Sequence, residues 1–411
     1  MLALAGSASA AVYTVTSTAD DGSEGTLRWA ITQAQANGGA DTINITATGT
    51  ITLGSTWAGA PRSAFYISDA LTITGSGVTI AGNNTFRFAS VYNTSLDISG
   101  VTFTNFNATG GNGGSVSRCP GGGGALGAGG VIFANQANLT ISDVTFSGNT
   151  AKGGNGGEGG GSSTSTGGGP GGGGMGGNGA NAYYGAGGAA NDPSGLGAGP
   201  AGSNSGAAGN FGAGASGPAN KTGKTGGFGG GGSGGSRTQT AAGAGGFGGG
   251  NGGNGGGAQG AGGGGAGMGG AIFMLGGTAT ISNSDFINNS ALLGLGGTYQ
   301  QAQDGQGLGG AIFNANGVLT VSETTFDGNA AAQGAANVYG FFGTTGVINN
   351  TGSVTLINSP DAFLASGSSV NYGFVEGTTW TEITIAIPEP ATMGLLVLGG
   401  VAVLVRRRRV A

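Results

Sequence analysis

Three short stretches decide the fold: GGVIF at 129–133, GGAIF at 269–273 and GGAIF at 309–313. Each is followed at the same distance by an alternating triplet, a phenylalanine and an asparagine. The aligned residues are Leu139-Thr140-Ile141, Phe146 and Asn149; Ala279-Thr280-Ile281, Phe286 and Asn289; and Leu319-Thr320-Val321, Phe326 and Asn329. Side chains alternate across a strand, so the outer residues of each triplet lie on one face and the threonine on the other. A unit of two or three short strands cannot bury its own apolar face, so such units must stack.

This repeat predicts a mainly β fold, a single-stranded right-handed parallel β-helix (solenoid) with one repeat per coil. Stacked coils would bring Phe146, Phe286 and Phe326 into an internal aromatic stack. Ile132, Ile272 and Ile312 would form an aliphatic stack. The asparagines at 149, 289 and 329 would form a ladder of side-chain amides at the bend. An imperfect fourth copy carries Leu96-Asp97-Ile98 and Phe103, and the alternating segments 71–73 and 78–80 indicate earlier coils.

Glycine supplies 103 of the 411 residues, and 57 of these lie among the 120 residues from 151 to 270. That segment holds only four large aliphatic or phenylalanine side chains, namely Leu196, Phe211, Phe228 and Phe247. It is therefore a long glycine-rich insertion, and 110–127 and 292–308 are shorter excursions. All three leave a coil after its phenylalanine and asparagine and return at a Gly-Gly pair. We expect them to emerge on one side of the solenoid.

Three interpretations of the long insertion stay open. In the first interpretation the insertion is a flexible loop, because glycine loses much entropy on ordering. Alternatively it is a bundle of extended, polyglycine II-like helices with three residues per turn, a period that 250–256 fits. The third interpretation is a low-complexity surface that adheres to other chains or to glycans.

The N-terminal segment predicts a cap for the open end of the solenoid. Leu27, Ala30, Ile31 and Ala34 are spaced for one face of a helix, which Gly38-Gly39 would end. A strand follows at 42–45. A strand-like segment at 12–16 precedes the helix. This strand, helix and strand order resembles the amino-terminal cap of many bacterial surface β-helix proteins, which hides the first coil from edge pairing.

Charge, histidine and cysteine restrict the chemistry. The chain has 12 basic and 17 acidic residues, and four of the basic ones are Arg406 to Arg409. The body is therefore acidic, which argues against a nucleic-acid partner. Histidine is absent, which removes the commonest metal ligand and general base. The single Cys119 cannot form an internal disulfide and is interpreted as an unremarkable loop thiol.

The N-terminal residues are predicted to be a targeting segment. Met1 to Ala10 are apolar or small and end in Ala8-Ser9-Ala10, which is typical of the end of a signal peptide with an Ala-x-Ala cleavage site at Ala8 and Ala10. A basic n-region is missing, which is consistent with a true start upstream of Met1. The other interpretation is an ordinary apolar first strand.

The C-terminal residues have three parts in order. Pro388, Glu389 and Pro390 precede an apolar run from 391 to 405, and four arginines follow, Arg406, Arg407, Arg408 and Arg409. As a short hydrophobic helix the run would reach about 22 Å, less than the roughly 30 Å hydrocarbon core. The arginines would hold its end on the cytoplasmic side. The predicted anchor comprises Gly394, Leu395, Leu396, Val397, Leu398 and the four arginines.

This tripeptide, helix and arginine cluster resembles the PEP-CTERM sorting signal of Gram-negative bacteria. The resemblance implies export by the general secretory route, transient inner-membrane anchoring and recognition by an exosortase that removes the tail near the tripeptide. It covers residues 388–411 only. A plain single-pass anchor is the alternative.

An enzyme is the competing class, because parallel β-helices include pectin lyases and polygalacturonases. Such chemistry needs clustered carboxylates as acid and base or as calcium ligands. Asp97, Asp143, Asp285 and Glu323 recur within or just after the triplets, where they could line one face, but Asp143 and Asp285 have no basic residue in the same repeat. We expect no catalytic, cofactor-binding or metal-binding residues.

The sequence thus predicts an exported, non-enzymatic structural or adhesive protein of the cell surface or extracellular matrix. Its expected partners are an exosortase, transiently the inner membrane, and an exopolysaccharide as a candidate. The alternative is a carbohydrate-active β-helix, either a lyase-like enzyme or a glycan-binding module. The predicted organisation is a signal-peptide remnant at 1–11, a cap at 12–60, coils at 61–150, the insertion at 151–268, coils and closure at 269–387, and the sorting signal at 388–411.

Overall fold

The computed structural model describes residues 9–161, 169–219, 221–238 and 241–342. Beyond these it describes the backbone of five strands, at 347–350, 354–357, 363–367, 371–374 and 380–383. The predicted sorting signal, the anchor and Ala8 lie outside the described residues. Ala10 is described and exposed.

The N-terminal residues form the predicted helix and strands. Helix α1 (Leu27–Asn37) buries Leu27, Ala30, Ile31 and Ala34, as their spacing predicted. Thr26 caps its N-terminus, and the Thr26 side chain accepts a hydrogen bond from the Trp29 N–H. Strands β1 (Val12–Val15) and β2 (Asp41–Ile45) pair in parallel and contact α1, and β3 (Thr50–Thr52) follows.

The remaining described strands are short and recur in the same order along the chain. They are β4 (Ser63–Ile67), β5 (Leu71–Ala81), β6 (Arg87–Tyr92), β7 (Ser95–Thr104), β8 (Asn107–Thr109), β9 (Gly127–Ala128), β10 (Ile132–Asn135), β11 (Asn138–Ser142), β12 (Thr145–Ser147), β13 (Thr150–Lys152), β14 (Gly267–Met268), β15 (Ile272–Leu275), β16 (Thr278–Ser282), β17 (Asp285–Ile287), β18 (Ser290–Leu292), β19 (Gly307–Leu308), β20 (Ile312–Ala315), β21 (Val318–Ser322), β22 (Thr324–Asp327), β23 (Ala330–Ala331), β24 (Val338–Phe342), β25 (Val347–Asn350), β26 (Val354–Ile357), β27 (Phe363–Gly367), β28 (Asn371–Phe374) and β29 (Trp380–Ile383).

The named strands pair in parallel, each with its equivalent one repeat away. One sheet runs β27-β24-β20-β15-β10-β6-β4, and the largest runs through β11, β7 and β12, because the long β7 pairs with both neighbours. Two smaller sheets, β23-β18-β13-β8 and β19-β14-β9, complete the set. The fold is therefore mainly β, with parallel sheets consistent with a β-solenoid.

The interior contains the predicted stacks. The rings of Phe146 and Phe286 stack at 4.7 Å between centroids and those of Phe286 and Phe326 at 5.0 Å. Phe103 of the imperfect copy extends the stack, 5.6 Å from Phe146. Ile132 pairs with Ile272 and Ile272 with Ile312, all fully buried. Both stacking predictions are confirmed.

The asparagine ladder is also confirmed. Asn149 Nδ2 donates to Asn289 Oδ1 at 2.9 Å, and Asn289 Nδ2 donates to Asn329 Oδ1 at 3.0 Å. Asn329 Nδ2 continues the ladder to Asn337 Oδ1. Each amide also bonds backbone groups at the bend, so a buried turn has its polar groups satisfied.

Candidate functional site

The glycine-rich segments pack side by side on one flank of the coils. We call the described parts of residues 110–126, 153–266 and 293–306 the glycine bundle. It joins all three excursions, because Gly111 N–H donates to Gly174 O and Gly294 N–H donates to Gly265 O. The prediction that they emerge on one side is confirmed.

Hydrogen bonds in the glycine bundle follow a period of three. Every third N–H of the segment 260–267 donates to the same neighbour, at 2.8–3.1 Å. Residues 260, 263 and 266 donate to the segment 229–235, and residues 261, 264 and 267 donate to the segment 299–306. Residues 262 and 265 donate to the segment 154–157. This is the bonding expected of polyglycine II-like chains with three residues per turn. The flexible-loop interpretation is wrong for the described residues, and the bundle interpretation describes them.

Glycine is required in the interior of the glycine bundle because no space exists for a side chain. A Cβ added to Gly263 would lie 2.0 Å from the carbonyl oxygen of Gly250, and one added to Gly124 would lie 2.0 Å from that of Gly154. Real Cβ contacts do not fall below 3.0 Å. Gly161, at the margin, would have nothing within 4 Å of its Cβ.

Polar side chains satisfy backbone N–H groups along the outer rim of the glycine bundle. Asn112 N–H donates to Asn178 Oδ1 at 2.8 Å, Asn155 N–H to Asn112 Oδ1 at 2.8 Å, and Leu295 N–H to Asn155 Oδ1 at 3.0 Å. A second row lies three residues further along each segment, through Asn181, Ser115, Glu158 and Thr298. These rows occupy donors that an open edge would offer to another chain.

A second apolar cluster joins the glycine bundle to the coils. Phe133, Phe273, Phe313 and Tyr339 form what we call the outer aromatic stack, with neighbouring ring centroids 5.3–5.4 Å apart. The four large apolar residues of the insertion pack against this cluster, which is separate from the internal core. Three of them form a parallel stack, with Phe228 lying 5.2 Å from Phe211 and 5.3 Å from Phe247.

Each of these four residues stands at a turn. The residue after it is glycine with a positive φ, for example 73° at Gly212 and 72° at Gly229. The phenylalanine thus reaches the outer aromatic stack where an extended segment reverses, and glycine accepts the left-handed backbone.

A buried arginine fixes the same junction. Arg87 Nε donates to Gly129 O at 2.8 Å, and its Nη1 donates to Asn191 Oδ1 of the insertion at 2.6 Å and to Ser63 Oγ at 3.1 Å. The guanidinium also lies over the Phe133 ring, with its central carbon 5.3 Å from the ring centroid. Burial lowers the pKa of Arg87 to about 9, although the charge of Asp192 opposes that shift.

The candidate acids do not gather on one line. Asp97 pairs in register with Thr140, whereas Asp285 pairs with Thr145 and therefore belongs to a different column. Asp143 and Glu323 are exposed and occupy a turn, with φ of 56° and 44°. The four acids thus occupy three columns of the largest sheet and its turns, and the expectation that they could line one face stays a prediction. Among the described residues no three histidine, cysteine, aspartate or glutamate side chains come together as metal ligands.

Cys119 lies in a loop, as its interpretation had it. It is fully buried, and its carbonyl oxygen accepts a hydrogen bond from Gly160 N–H. It forms no disulfide bond.

Comparison with known proteins identifies one segment. The family model of the PEP-CTERM protein-sorting motif matches residues 386–409. The chain carries a PEP-CTERM motif. This motif implies export, sorting through membrane anchoring and processing by exosortase, a membrane enzyme. The match includes Pro388, Glu389, Pro390 and the four arginines. No curated protein and no solved structure matches the chain.

Membrane insertion was predicted only for the C-terminal apolar run. In the described ranges, which exclude that run, no helix is both long and apolar enough to cross a bilayer.

Sequence reasoning missed three parts of this region: Arg87, the rim asparagines and the joint packing of the four apolar residues. The last had a usable signal, because Leu196, Phe211, Phe228 and Phe247 are each followed by glycine. Asparagines three residues apart, as at 178 and 181, were a weaker signal for the rim. Arg87 stands within an otherwise ordinary strand and had no such signal.

Proposed function

We propose that this PEP-CTERM protein is a non-enzymatic structural or adhesive component of the cell surface or extracellular matrix. In this proposal the body is a right-handed parallel β-helix that presents the glycine bundle outward. The observation that carries it is the ordered glycine bundle, held to the coils by the outer aromatic stack and Arg87. Right-handedness is expected because parallel strand connections are right-handed in nearly all known cases.

The composition of the exposed glycine-rich surface supports a contact role. A lattice of backbone bonds keeps the extended segments in place without bulky side chains, and the rim presents amides and hydroxyls. Such a surface offers many neutral donors and acceptors, which suits repeated weak contacts with a hydrated polymer.

The sorting half of the proposal is tested by the mass of the mature protein. In a host with exosortase, surface protein should lack Arg406 to Arg409, and its new C-terminus should lie near Pro388. Replacing Pro388, Glu389 and Pro390 together by alanine should leave the tail on and the protein in the inner membrane. Thr392→Ala is the control and should be processed normally. Surface protein that retains all four arginines would refute the proposed cleavage.

The structural half is tested by retention in the matrix. Gly263→Ala, which disturbs the glycine bundle, should reduce the matrix-bound fraction several-fold while C-terminal processing continues. Gly161→Ala should leave both unchanged. Equal matrix retention of the two variants would show that the glycine bundle does not contribute to retention, which would contradict this half of the proposal.

The absence of catalysis is tested with polysaccharide panels and size analysis of the products. We expect no release of oligosaccharide. Release by the wild-type chain that is lost in Asp143→Asn or Asp285→Asn would establish the alternative, a lyase-like enzyme.

A further inference from the structure

A groove of about 980 Å³ lies at one side of the glycine bundle. Its walls are the segments 242–244 and 251–254 of the long insertion and the loop 298–303 of the third excursion. The polar or aromatic side chains that line it are Asn251, Asn254, Thr298, Tyr299, Gln300, Gln301 and Gln303.

The loop that carries Tyr299 is held at both ends. The Thr298 N–H and hydroxyl both donate to the Glu158 carboxylate at 3.0 Å. Ala261 N–H donates to Tyr299 O at 3.1 Å, and Gln303 N–H donates to Asn251 O at 2.8 Å. The groove is therefore built on the hydrogen bonds of the glycine bundle.

The opposite wall presents amide donors in fixed positions. Asn251 Oδ1 accepts a hydrogen bond from Gly245 N–H at 2.8 Å, and Asn254 Oδ1 accepts one from Ala242 N–H at 3.0 Å. Each bond orients the amide through its oxygen, which leaves the Nδ2 hydrogens to donate to a ligand. The two asparagines are three residues apart and so recur after one turn of the extended segment.

The lining chemistry selects a class of ligand. Amides and hydroxyls both donate and accept, so they match sugar hydroxyls, and the ring of Tyr299 offers an apolar face with a polar edge. The lining contains no arginine or lysine. An acidic polymer would therefore meet no counter-charge in the groove.

We propose that this groove binds a neutral glycan chain, with Tyr299 as the stacking platform and the amides of Asn251, Asn254 and the neighbouring glutamines as hydrogen-bonding partners. This inference rests on the proposed adhesive function and names its ligand class. It assigns binding to one groove, whereas the proposed function requires only that the protein be retained in the matrix.

The test is affinity electrophoresis of the purified protein in gels that contain hydroxyethyl cellulose, mannan or alginate. The first two are neutral glycans and the third is an acidic one. Retardation by at least one neutral glycan is expected, with none by alginate. Tyr299→Ala should raise the apparent Kd roughly tenfold, as the loss of one aromatic contact would. Tyr299→Phe should retain most of the binding.

Tyr183→Ala is the matched control, because Tyr183 is 44% exposed and Tyr299 is 45% exposed, but Tyr183 lies outside the groove. It should bind like the wild-type protein. Stronger binding to alginate, equal losses in the two alanine variants, or no binding to either neutral glycan would overturn the inference. Matrix retention in the absence of glycan binding would leave the proposed function standing and reject only the groove.

Discussion

Gly263→Ala probes whether the glycine bundle exists as the structure has it. Gly263 N–H donates to Gly232 O at 2.8 Å, and its carbonyl accepts from Gly124 N–H at 2.9 Å. The new Cβ would stand 2.0 Å from Gly250 O. The two segments would have to separate by more than 1 Å to reach ordinary contact. Overpacking of this kind costs about 1–3 kcal/mol, and each weakened hydrogen bond adds about 1 kcal/mol.

The expected loss of about 2–4 kcal/mol in local stability is measurable by hydrogen exchange with mass spectrometry. Peptides covering 229–235 and 260–267 should exchange roughly 30- to 700-fold faster, at about 1.4 kcal/mol per tenfold change. Gly161→Ala carries the same chemical change without a steric conflict and should alter exchange less than about threefold. Exchange that is already fast throughout the wild-type insertion, or equal in the two variants, would refute the bundle.

Three further substitutions test the contacts around the glycine bundle. Phe228→Ala removes the middle ring of the insertion's stack and should expose the insertion to limited proteolysis, with a loss of about 2–4 kcal/mol in its stability; Phe228→Leu should lose less. Asn289→Ala should lower the unfolding free energy of the coils by about 3–5 kcal/mol in chemical denaturation, because it leaves the buried Asn149 N–H without an acceptor and removes one of the two acceptors of Asn149 Nδ2; Thr280→Ala, on an exposed strand position, should change it by less than about 0.5 kcal/mol. Arg87→Lys keeps the charge but loses the branched set of donors, and should lower the thermal midpoint while leaving C-terminal processing unchanged.

The repeats of the coils could be predicted from sequence because each coil obeys one local rule. The alternation of side chains placed Leu139 and Ile141 inside. The distance from this triplet to Phe146 and Asn149 is the same in each repeat, which predicted that equivalent phenylalanines and equivalent asparagines contact one another. Parallel strands in a solenoid meet their equivalents one repeat away, so identical residues at identical offsets translate directly into contacts. The same rule gave the side from which the excursions leave.

The sequence left three interpretations of the long insertion open, the ordered bundle among them, since the hydrogen bonds that order it do not involve side chains. Backbone bonds such as that from Gly265 to Gly154 are invisible in a sequence in which glycine is nearly everywhere. The low apolar content of the insertion favoured a flexible loop, but apolar content does not report hydrogen bonding between the backbones of adjacent segments. The role of Arg87 could not be predicted for a different reason. Its partners Asn191 and Gly129 are far apart in sequence and come together only when the insertion packs against β6.

The few apolar residues of the insertion decide whether its glycines can order at all. Fixing one residue's backbone costs about 1–2 kcal/mol, and more for glycine, whereas a hydrogen bond returns about 1 kcal/mol net. Bonds among glycines alone therefore do not favour the ordered state. The coils change that balance, because both ends of every excursion are pinned by paired strands and Phe211, Phe228 and Phe247 dock their turns on the outer aromatic stack. Once the turns are held, successive segments lie at bonding distance, and glycine is the residue that allows them to remain there.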